Sequence, residues 1–65
     1  MKHLQIIYYD SNKHVLGPFN SINFVCITQS IPSNGSVTVT YHCFRDDDTS
    51  ELVTVPADAH SIVPV

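Results

Sequence analysis

The chain has no tryptophan, only two glycines and, in 65 residues, only three cationic side chains. Each shortage argues against a class of function. Lys2, Lys13 and Arg45 are scattered and cannot neutralise a run of phosphates, so general affinity for nucleic acid is not expected. An anionic membrane surface is an unpromising partner for the same reason. Gly17 and Gly35 stand too far apart to build a phosphate cradle, and no serine sits in a nucleophile elbow. Apolar runs such as Ile6 to Tyr9 are far too short to span a bilayer. No signal-like stretch follows Lys2, so the expected compartment is the cytoplasm, with both cysteines reduced. Two alanines, three leucines and one glutamate leave little from which to make a helix.

What is present points to β structure. Valine, isoleucine and threonine number 8, 6 and 5, and such β-branched side chains sit well on a pleated surface. The chain is 43% hydrophobic and only 14% charged, which argues for a packed domain rather than a disordered one. A domain this short buries only about 60% of the surface its unfolded chain exposes, so a partner or second copy is an obvious source of extra burial. Net charge is −3 with neutral histidines; protonating all four would carry it to +1.

Turn signals divide the sequence into short alternating runs, the pattern of a small all-β domain of five to six strands. Strands are predicted over His3 to Tyr9, His14 to Leu16, Ile22 to Gln29, Ser36 to Arg45, Glu51 to Val55 and Ser61 to Val63. Gly17-Pro18 is expected to end the second, because proline has no N–H for a ladder. One helical turn is expected near residues 56–60. In the fourth strand Val37, Val39, Tyr41 and Cys43 share the inner face. A hairpin loop over residues 46–50 would set Arg45 opposite Glu51, Cys43 opposite Val53 and Tyr41 opposite Val55. The tail, in which a strand meets a proline, turns and resumes, resembles the closing segment of small SH3-like barrels. That likeness covers the last quarter of the chain and carries no functional motif.

Cys26 and Cys43 fall on adjacent predicted strands, on what reads as one face. A tight Asn34-Gly35 turn would set them opposite each other. A wider loop from Ile31 to Ser36 would pair Cys26 with Tyr41 and keep Pro32 out of the ladder. The wider loop and free thiols are favoured. Asn34-Gly35-Ser36 matches a glycosylation acceptor but reads as a turn.

No metal, cofactor or catalytic group is expected. His3, His14, His42 and His60 show no ligand spacing with the cysteines. Asp46-Asp47-Asp48 opens like a calcium loop, yet Glu51 stands where its glycine belongs and Ala57 where its glutamate belongs. The same three aspartates read as a solubilising turn or as an acidic patch for a basic groove. Their joint replacement by serine is expected to leave the fold intact without lowering its stability, and on the patch reading to slow association with a partner. Strands with apolar residues on both faces suggest a self-associating or partner-binding surface, with Ile7, Tyr9 or Phe44 at the contact. The expected function is therefore a non-catalytic interaction module: a small regulator, inhibitor or adaptor, of the kind phages and mobile elements carry, and most simply a homodimer. The alternative is a small β-barrel that stacks single-stranded bases on exposed aromatics.

Overall fold

The computed structural model describes residues 3–29 and 37–65. Six antiparallel strands form two three-stranded sheets. The strands are β1 (Leu4–Tyr9), β2 (Lys13–Phe19), β3 (Ser21–Gln29), β4 (Val37–Phe44), β5 (Ser50–Pro56) and β6 (His60–Pro64). One sheet has the order β2-β1-β6 and the other β3-β4-β5. The loop from Ile31 to Ser36, with Pro32, the Asn34-Gly35 turn and the acceptor triplet weighed above, lies outside the described residues.

The chain passes from the first sheet to the second at Asn20, the lone residue between β2 and β3. Its amide donates to the carbonyl of Phe44 at 2.7 Å, which ties the crossing point to the end of β4. Ile6 and Phe19 from the first sheet meet Cys43, Val53 and Val55 from the second in the buried core. Tyr8, Leu16, Ile22 and Tyr41 pack around them. The molecule measures 41 × 21 × 13 Å. Its short axis is barely more than the roughly 10 Å spacing of two stacked sheets, so the core is one layer of side chains deep.

Three local expectations are corrected. Gly17-Pro18 does not end β2. Leu4 pairs with Phe19 and Ile6 with Leu16, so Gln5 faces two residues and the ladder absorbs Gly17-Pro18 as an irregularity. Gly17 has a φ of 129°, and a peptide bond in the cis form joins it to Pro18. The chain between β5 and β6 is a turn, and the described residues contain no helix. Its backbone groups bond outward: the Ala57 amide donates to Val37 and the Ala59 carbonyl accepts from Tyr9. Those bonds satisfy the peptide groups that a helical turn would otherwise pair along the chain.

The β4–β5 hairpin is displaced by one residue on each strand. Phe44 faces Ser50, Cys43 faces Glu51, Tyr41 faces Val53 and Val39 faces Val55. The displacement preserves the faces, so Val53 and Val55 still point into the core. The turn begins at Arg45, whose amide donates to Thr49 and whose carbonyl accepts from Asp48.

Candidate interaction surface

The acidic tip is the first candidate. Asp48 takes the left-handed conformation, with φ 66°, that hairpin loops of this length require. Asp47 holds the loop shut, because one of its carboxylate oxygens accepts from the amide of Thr49 at 3.2 Å and from its hydroxyl at 2.6 Å. The hydroxyl bond is the main reason the Asp47 carboxyl sits below its ordinary pKa. Asp46 reaches Nε2 of His3 at 2.6 Å, which lowers its pKa in the same direction. Arg45 pairs with Glu51 and lies 5.2 Å from the ring of Phe19. The tip is exposed, but Asp46 and Asp47 both already serve the fold.

Ile7, Tyr9 and Phe44 are not brought together. Ile7 and Tyr9 lie on the first sheet, on the face away from the core, where Ile7 sits opposite Val15 and Ser61. Phe44 lies on the outward face of the second sheet, half-buried, with its ring 4.2 Å from that of His42. The two groups occupy opposite sides of the molecule.

The cysteines are separated as well. Both are free. The β3–β4 register shifts between Phe24 and Cys26, so Phe24 faces Tyr41 but Cys26 faces Thr40. One extra residue at Val25 therefore turns Cys26 to the face opposite Cys43. Burial, then the nearby Glu51 charge, pushes the Cys43 thiol up, away from the thiolate a nucleophile needs. Among the described residues no three His, Cys, Asp or Glu side chains converge on a metal position, and no pocket forms.

The same shift creates a surface that the sequence pattern did not reveal. Beyond it, Thr28 pairs with Thr38 and Thr40 with Thr54, and the hydroxyls bond at 2.5 Å and 3.1 Å. These threonines make this end of the outward face polar, while Phe44 and the 65% exposed Leu52 lie on the same face nearer the crossing point. Phe24 and Ile27 lie on the other face, beside Tyr41 and Val39. Ile22 on that face reaches the core. Phe24 and Ile27 stay 61% and 63% exposed, because the first sheet does not extend over them, and Val37 nearby is also exposed.

This face is built in place. Tyr41 meets Phe24 edge-on, 6.4 Å between ring centres, and donates its hydroxyl to His60 Nε2 at 2.8 Å. His60 Nδ1 in turn donates to the carbonyl of Pro56 at 2.6 Å. Charge is missing from this part of the chain: no Asp, Glu, Lys or Arg occurs between Lys13 and Arg45. That uncharged run was the signal in the sequence that could have located the surface. Compared with models of known families, with curated proteins and with solved structures, the chain matches none.

Proposed function

We propose that the chain is a non-catalytic, cytoplasmic protein-interaction module, a small regulator, inhibitor or adaptor that works by covering its apolar hairpin face with protein. One observation carries this reading. Toward its far end the hairpin carries paired threonines on one side and apolar residues on the other, yet the apolar side is left open at Phe24 and Ile27. Two-sided hairpins of this kind are stable when their apolar face is covered. We also read the two sheets as an open, SH3-like barrel. The path from β2 through Asn20 into β3 acts as one bent strand shared by both sheets, and β6 returns beside β1 after the proline turn. A nucleic-acid strand is a poor occupant of the open face, since no cation lies on β3 or β4 to meet its phosphates.

The test is affinity capture from an extract of the source cell, with the wild-type chain and a Phe24→Ser, Ile27→Ser variant immobilised side by side. A protein retained by the wild type and lost from the variant supports the reading. Equal retention by both, or tight binding of an oligonucleotide at low salt in place of any protein, overturns it.

A further inference from the structure

We infer that the apolar face of the β3–β4 hairpin is covered by the same face of a second copy, in a two-fold, face-to-face dimer centred on Phe24 and Ile27. This rests on the interaction role proposed above and names its partner.

Charge selects the occupant. All nine charged residues lie outside the run from His14 to Phe44, and six of them are acidic. Two copies of a chain with net charge −3 repel each other, and the repulsion is smallest when uncharged surfaces are brought together. The hairpin face is such a surface. A partner recognised through its charge would find no counter-charge on β3 or β4. An uncharged apolar face is best met by another of its kind, and the chain itself supplies one.

Geometry agrees. The first sheet covers the β5 side and the base of the second sheet, where Ile22, Cys43, Val53 and Val55 meet the core. Val39 is buried as well, and among the described residues the face stays open at Phe24, Ile27 and Val37. A second hairpin stacked at about 10 Å would supply the missing layer. The outward threonine pairs Thr28–Thr38 and Thr40–Thr54 would remain in water on both copies.

Area sets the strength. Phe24, Ile27 and Val37, with the uncovered part of Tyr41, offer about 350–430 Å² per copy. The pair would bury roughly 700–850 Å² in total, below the standard specific interface and in the range of weak, transient contacts. The dimer is therefore weak and reversible, with dissociation in the range of about 10–500 µM.

Sedimentation equilibrium from about 1 µM to 1 mM tests this. The wild type should pass from monomer to dimer across that range. Phe24→Ser with Ile27→Ser should remain monomeric, and its circular dichroism should match the wild type. If that variant misfolds, Ile27→Lys alone should raise the dissociation constant at least tenfold, because it sets like charges against each other across the two-fold axis. Tyr9→Ser with Val15→Ser, on the first sheet, should dimerise like the wild type. A wild type that is monomeric throughout overturns the inference, as does a dimer that survives Ile27→Lys or one abolished by the Tyr9 and Val15 changes. A monomer that still captures another protein through Phe24 and Ile27 would overturn self-pairing alone and leave the interaction role standing.

Discussion

Tyr41 and His60 share one hydrogen bond, 2.8 Å from the tyrosine oxygen to Nε2, and a second bond fixes its direction. His60 Nδ1 lies 2.6 Å from the Pro56 carbonyl, which only accepts, so the proton sits on Nδ1. Nε2 of the neutral ring is then an acceptor and Tyr41 must donate. Tyr41→Phe removes that donor and leaves a part-buried nitrogen without its partner. The expected cost is about 1 kcal/mol in urea unfolding. His60→Ala loses both bonds and should cost more. Equal stability of Tyr41→Phe and the wild type would show that the bond contributes nothing.

A second expectation concerns acid. The Asp10 carboxylate accepts from the amides of Ser11 and Asn12 and from His14, and these bonds lower its pKa from 3.8 to about 2. The Asn12 amide is the largest cause. The folded value lies below the unfolded one, so the stabilisation is complete above about pH 4 and fades as pH falls toward 2. Asp10→Asn should melt below the wild type at pH 5, and the gap should close by pH 2. A gap that ignores pH would show that the charge on Asp10 plays no part.

Neighbouring loop residues should respond with opposite signs. Asp47→Ala removes the acceptor for both Thr49 bonds and should lower the melting temperature. Asp48→Gly replaces a side chain held at φ 66° by the residue that prefers that region. It should raise stability by roughly 0.5–1 kcal/mol. The triple serine replacement of Asp46, Asp47 and Asp48 is then expected to lower stability, contrary to the sequence-based expectation, because Asp46 bonds His3 and Asp47 bonds Thr49. Thermal melts of the single variants separate the three contributions.

Gly17 is a sharper constraint. Its φ of 129° excludes most side chains, and an added Cβ would stand 3.0 Å from the Leu4 carbonyl oxygen and 3.2 Å from Gln5 Cα. Gly17→Ala is expected to cost about 1–3 kcal/mol. A neutral Gly17→Ala in urea titration would mean that β1 and β2 shift apart freely at this point.

The thiols give the last expectation. Cys43 is fully buried and Cys26 half-buried. A disulfide reagent should modify Cys26 in the folded protein and Cys43 only on unfolding. Reductant should leave the melting temperature unchanged. Cys43→Ala should cost about 1–2 kcal/mol, the contribution of a small core side chain.

Much of the fold was legible because strand chemistry is local. Alternation at Val37 to Cys43 and turn residues at Asp10 and Pro56 marked all six strands to within a few residues. The misplaced features depend on partners distant in sequence. The bulge at Val25 shows only when β4 lies alongside, and it alone decides the face on which Cys26 sits. The His3–Asp46 bond joins residues 43 apart in sequence, which no local pattern signals. The exposure of Phe24 and Ile27 depends on where the first sheet stops. Their apolar character reads as core until the covering layer is found to be missing.

The order of the two sheets bears on how the chain folds. The second sheet is made of consecutive hairpins, whereas β1 takes one partner from nearby and the other, β6, from the far end, with Leu4 facing Pro64. Closing that long loop carries an entropic cost that the local hairpins avoid, so β6 should dock late. The hypothesis is that β4–β5 contacts are present in the folding transition state and β1–β6 contacts are not. Val53→Ala should then mainly slow refolding, whereas Ile62→Ala should mainly speed unfolding. Chevron plots of the two variants would show this, and the reverse pattern would place the β1–β6 closure first.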